Sequence, residues 1–74
     1  MQDQRESNNR IIRIGEVMAR TSISRSQIYH LAAIGKFPKS IPLVPGGTSV
    51  GWVLSEVEDF INERIAARTQ GEKV

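Results

Sequence analysis

Arg25, Ser26, Tyr29 and His30 are the side chains of this 74-residue chain whose types and spacing point most directly to chemistry. Stepped at about 100° per residue along a helix, they gather with Ala33 on one side, while Ile28, Leu31 and Ile34 gather on the other. A guanidinium, a hydroxyl, a phenol and an imidazole with no carboxylate among them make a surface of hydrogen-bond donors suited to phosphates and base edges. Arg25 can fork onto guanine O6 and N7, with a phosphate clamp or a merely solvated arginine as the alternatives. Tyr29 offers its hydroxyl to a phosphate or its ring to a thymine methyl, and a half-buried packing role competes with both. His30 is the only histidine and the chain has no cysteine. A lone imidazole is not a metal site, and no neighbouring residue is set to orient it as a base, so it reads as a surface donor.

These residues need a helix to hold them. Ser24 followed by Gln27 has the spacing of a capping box, which commits Gln27 to the cap, and Gly35 supplies a left-handed stop. Upstream, Gly15 to Arg20 reads as a short helix with Val17 and Met18 inward, and Thr21-Ser22-Ile23 as a tight connection. Two short helices around such a turn read as helix-turn-helix. After Gly35 the chain leaves the helix, because Pro38 and Pro42 force their preceding residues toward extended conformations. Phe37 is expected to anchor this exit. Ile41 to Val44 and Ser49 to Val53 read as two short strands around a Gly-Gly turn in Pro45-Gly46-Gly47-Thr48, a wing whose first strand the prolines confine to an edge. Trp52 is assigned to the core, packed against Phe60 and Ile28, rather than to a wedge between base pairs. Ser55 followed by Glu58 predicts a second capping box and a third helix from about Glu56 to Arg68, with Val57, Phe60, Ile61 and Ile65 inward. Arg10 to Ile14 reads as a short extended lead-in whose Ile12 or Ile14 covers the helix pair.

The expected architecture is therefore mainly α with a small β-hairpin: a winged helix-turn-helix of three helices plus wing over residues 10–68. Residues 1–9 are expected as a disordered arm and 69–74 as a frayed tail. The net charge is only +2, but it is unevenly spread. Arg10, Arg13, Arg20, Arg25, Lys36 and Lys39 face only Glu16 between residues 10 and 54, a local balance of +5. Residues 55–74 carry −2 and residues 1–9 carry −1. The helix of interest thus lies in the basic part. The polar N-terminus lacks an apolar h-region, so no signal peptide is expected, no run is long enough to span a bilayer, and the residue set suits a reducing cytoplasm.

Several short stretches, namely SRSQIY, GKFPK and SVGW with the flanking Arg13-Ile14-Gly15-Glu16-Val17 and Ser55-Glu56-Val57-Glu58-Asp59-Phe60-Ile61, resemble the AlpA-type prophage regulatory proteins over residues 10 to 66. The resemblance implies a MerR-like winged-helix fold related to excisionases. It implies double-stranded DNA as partner, with the helix from Ser24 to Ile34 in the major groove and the wing from Ile41 to Val53 on the flanking backbone. It also implies transcriptional regulation of a prophage or integrative element or, alternatively, DNA bending as an excisionase beside an integrase. In this chain the wing tip carries no Lys or Arg, so wing contact falls to Thr48, Ser49, backbone N–H groups, Lys36 and Lys39. Arg10, Arg13, Arg20 and the hydroxyl of Ser24 complete the expected phosphate-contacting set, and Arg25, Ser26, Tyr29 and His30 the base-reading set.

Other chemistry is weakly supported. Gly46-Gly47-Thr48-Ser49 lacks the lysine and flanking pattern of a nucleotide-binding loop, and a hairpin explains it. Glu56, Asp59 and Glu63 share one side of the third helix without a histidine or a second cluster. They read as a solvated face or as a contact surface for a neighbouring copy or for RNA polymerase, and a protein-interaction adaptor built on that acidic helix is the rival from another class. No catalytic, metal, cofactor or small-molecule site is expected.

Overall fold

The computed structural model describes residues 10–69, so the expected arm at 1–9 and nearly all of the expected tail at 69–74 lie outside the described residues. Six elements follow one another: β1 (Ile11–Ile12), α1 (Ile14–Thr21), α2 (Arg25–Ala33), β2 (Ile41–Pro42), β3 (Val50–Val53) and α3 (Leu54–Thr69). Helix, turn, helix, hairpin and helix are the parts of a winged helix-turn-helix. Among the described residues no helix is long and apolar enough to cross a membrane.

Local chemistry accounts for the helix ends. Ser24 sits in an extended conformation as the N-cap of α2, and its side chain accepts the Gln27 backbone N–H at 3.3 Å. The other end closes with Lys36 N–H on Leu31 C=O at 2.8 Å and Gly35 N–H on Ala32 C=O at 3.3 Å. That crossed pair requires a left-handed residue between, which Gly35 provides at φ +82. The end of α1 has no glycine. Ser22 takes the left-handed conformation itself, at φ 62, and donates its N–H to Met18 C=O. Thr21 reinforces this turn, donating its hydroxyl to Val17 C=O at 2.8 Å while accepting the Ile23 N–H at 3.2 Å.

The sheet departs from the expected simple hairpin. Its strand order is β1-β3-β2, both pairings antiparallel, with Ile11 opposite Val53 and Ile12 opposite Trp52 on one side of β3, and Ile41 opposite Gly51 and Pro42 opposite Val50 on the other. The extended lead-in is thus a strand bonded to the wing, a partnership between residues about forty apart that no local pattern reveals. The first wing strand ends at Pro42 rather than Val44. Beyond it, Val44 to Gly47 form a turn closed by Gly47 N–H on Val44 C=O at 2.9 Å, with Pro45 and then Gly46 at φ +79 in the central places, the sequence signature of a type II turn.

Ile12, Val17, Ile28, Phe37, Trp52, Leu54 and Val57 form one buried cluster. Trp52 is fully covered, and its indole N–H donates to Pro38 C=O at 3.0 Å. Its aromatic neighbour is Tyr29, at 5.7 Å between ring centroids, whereas Phe60 meets the edge of Phe37 at 4.7 Å. Phe37 anchors the exit from α2 as expected.

Three further expectations are corrected. Ile34 is 51% exposed; it caps α2 rather than continuing it, and Ala32, four residues after Ile28, takes the inward place. Ile65 is 49% exposed, because α3 outruns the body it packs on. Ser55 is not an N-cap: α3 starts at Leu54, directly from the end of β3, and the Leu54 N–H is satisfied by Arg10 C=O at 2.8 Å. A strand neighbour does there what a capping side chain does elsewhere.

Gly51 lies in the middle of the central strand, where an added Cβ would meet Ile11 Cγ2 at 2.5 Å and Ile12 O at 3.1 Å. Gly51→Ala is expected to lower stability by about 1–3 kcal/mol through overpacking, read by urea denaturation. Trp52→Phe, which keeps a ring but strands the Pro38 carbonyl, is expected to cost about 1–3 kcal/mol in the same measurement.

Candidate nucleic-acid interface

The outer face of α2 is assembled as its sequence spacing predicts. Ser24, Arg25, Ser26, Gln27, Tyr29, His30 and Ala33 are all exposed, and Ile28 alone of the helix is fully buried. Relative to the inward side set by Ile28, Leu31 and Ala32, the outward line runs through Ser26, His30 and Ala33. Arg25 and Tyr29 form one shoulder and Gln27 the other. The methyl-sized Ala33 leaves the backbone of the last turn open to close approach.

Electrostatics favour an anion at the start of this helix. Its first turn contains no acidic residue, so the partial positive charge of the free N–H groups is not neutralised there. Among the described residues no carboxylate pairs with Arg25.

Tyr29 is held at an angle. Its ring leans on Trp52 at an interplanar angle of 59° while 40% of the residue stays exposed. Packing and contact, the two readings of this residue, are therefore compatible: the ring braces α2 against β3 and the rest of the side chain faces outward.

Gln27, which can reach the same ligand as Ser26 and which the sequence spacing commits to the cap, serves that cap through its backbone N–H. The carboxamide remains exposed beside Ser26. The capping-box pattern describes a reciprocal bond that the helix does not require.

The basic residues divide into groups that their order along the chain does not reveal. Arg20 is matched by acids: Nε and Nη2 bond Glu16 Oε2 at 3.0 and 2.8 Å, and Nη1 lies 3.8 Å from Glu58 Oε2 on α3. These exposed pairs add little stability, but they offset the charge expected for phosphate. Lys39 reaches back to the C-terminal end of α2, donating to Ala32 C=O at 3.4 Å, where a cation suits the helix dipole. Lys36 and Lys39 also line an open groove of about 670 Å³ whose far wall carries Glu56, Asp59 and Glu63. That groove faces both signs of charge.

Arg13 is the exposed N-cap residue of α1, without a side-chain cap bond. Arg10 precedes β1 and sits opposite Leu54, at the C-terminal end of β3. Thr48 and Ser49 enter β3 from its N-terminal end, with Thr48 exposed and Ser49 accepting the Leu43 N–H at 2.9 Å through its carbonyl. Arg10 and the wing tip are therefore at opposite ends of the central strand. Among the described residues no group of three or more His, Cys, Asp or Glu is placed to hold a metal ion.

Ser24→Ala removes the cap at the start of this face, and a loss of about 1 kcal/mol is expected in thermal denaturation monitored by circular dichroism.

Comparison with known proteins completes the picture. The family model described as prophage CP4-57 regulatory protein (AlpA) matches residues 10–65. The chain is 42% identical over 65 residues to the uncharacterized protein ORF88 of Enterobacteria phage P4, a match that covers 88% of this chain and 72% of that protein. No solved structure matches.

Proposed function

The chain belongs to the AlpA family of prophage regulatory proteins, and on that premise we propose that it is a sequence-specific DNA-binding transcriptional regulator of a prophage or integrative element. The observation that carries this reading is the carboxylate-free outer face of α2, exposed along its length behind a helix N-terminus with no acid in its first turn. In this reading α2 enters the major groove by its N-terminal turns. Arg25 forks onto a guanine, Ser26 and His30 address base edges along the outward line, and Tyr29 contacts backbone or a thymine methyl from its brace on Trp52. Ser24, Arg10, Arg13, Lys36 and Lys39 hold phosphates, and Thr48 and Ser49 bring the uncharged wing against the neighbouring backbone. Arg20, already matched by Glu16 and Glu58, contributes least of the arginines.

Size sets a further condition. One module of this kind buries roughly 600–1,000 Å² on DNA, so high specificity calls for two or more copies on adjacent sites. RNA polymerase is the further partner that suits this role, and integrase the one that suits the alternative role of an excisionase.

Binding to the promoter of the host element, measured by fluorescence anisotropy across a salt series, is expected to fall log-linearly with a slope near −3 or steeper, at about −0.9 per phosphate held. A slope near zero overturns the reading. Arg25→Ala is expected to cost about 1–3 kcal/mol and to flatten preference at one base position. Lys36→Ala should weaken every sequence alike, and Arg20→Ala should change the slope less than either.

A further inference from the structure

The far half of α3 presents a side whose residues suit a second copy of the same chain. Glu58, Ile61, Ile65 and Arg68 are spaced three, four and three residues apart, so they fall in one line along the helix. Ile65 is 49% exposed at the middle of that line, and Ile61 is half-buried beside it. Next to the two isoleucines the surface opens into a groove of about 420 Å³ floored by Ile23, Leu31 and Phe60. Glu58 and Arg68 stand exposed at the two ends, the carboxylate 3.8 Å from Arg20. Among the described residues Arg68 pairs with no acid.

We propose that two copies of this chain associate through an isologous, antiparallel contact of α3 with α3. With the twofold axis level with Glu63, Ile61 of each copy meets Ile65 of the other, and Glu58 of each meets Arg68 of the other. The line is self-complementary only in this direction: a parallel arrangement sets Glu58 against Glu58 and Arg68 against Arg68. The acidic residues Glu56, Asp59 and Glu63 line the separate groove on the other side of the helix, so they do not oppose one another across the contact.

The contact is short. Residues 58 to 68 span about 15 Å of helix, which buries well under the roughly 800 Å² per partner of a stable interface. Association is therefore weak in free solution and gains weight when two copies are held on neighbouring sites. This names the surface by which adjacent copies meet, and so extends the proposed function, but it needs no nucleic acid and is tested without any.

Sedimentation equilibrium of the full chain, raised to about 1 mM, is expected to show a rising fraction of dimer. Ile65→Ser, Glu58→Lys and Arg68→Glu are each expected to weaken association by about tenfold or more, with unchanged circular dichroism. An equimolar mixture of Glu58→Lys with Arg68→Glu is expected to recover dimer, because each unlike pair is restored only between the two variants. A native chain that stays monomeric at that concentration overturns the proposal, as does Ile65→Ser associating like the native chain, or a mixture no better than the single variants. Such a result leaves binding to DNA, read separately from the salt slope, as it stands.

Discussion

Trp52 connects the sheet to the helix-turn-helix, and the rest of the domain is arranged around that connection. The indole sits on the central strand, wholly out of solvent. Its one polar atom must be satisfied inside, and the Pro38 carbonyl does so at 3.0 Å. That bond fixes the loop leaving α2 against β3, while the Tyr29 ring, 5.7 Å away, holds the body of α2 itself. The helix, its exit loop and the wing are therefore set relative to one another by the two polar and aromatic contacts of a single residue. In so small a domain, where little surface can be buried, such a concentration of contacts on one large side chain is an economical way to reach a rigid core.

The consequence for the interface is geometric. The outer face of α2 and the wing stand beside one another on a shared core. Here Trp52 couples the two, through the Tyr29 ring on α2 and the Pro38 carbonyl of the loop between them. Tyr29 belongs to both arrangements, bracing the core with one side of its ring and facing outward with the remainder.

Charge is distributed by the same folding. Of the six basic residues between positions 10 and 54, Arg20 is spent on Glu16 and Glu58, which ties α1 to α3, and Lys39 closes the end of α2. Arg25 is left at the exposed start of α2. A linear excess of positive charge is thus partly answered by the carboxylates of α1 and α3, while the first turn of α2 holds no acid. The long α3 carries both signs and an exposed isoleucine beyond the reach of the core.

The sequence by itself determined whatever depends on neighbours a few residues apart. The Ser24 cap, the Gly35 stop and the outward set of Arg25, Ser26, Tyr29 and His30 follow from local backbone preference and helical period. The size and apolarity of Phe37 and Trp52 mark them for the core. The Gly-Gly turn expected between the wing strands falls instead one residue earlier, on Pro45-Gly46. Tertiary structure decided what depends on distant partners. The Ile11–Ile12 segment becomes a strand only because β3 offers its free edge, and the Leu54 N–H bonded to Arg10 C=O beside it starts α3 at Leu54 and leaves Ser55 inside the helix. Ile34 and Ile65 keep an inward-looking spacing yet stay exposed, because periodicity states which side a residue takes but not where the opposing surface ends. Arg20 has its nearer acid, Glu16, one helical turn away in the sequence, and only the tertiary structure adds the second, Glu58 on α3, at 3.8 Å.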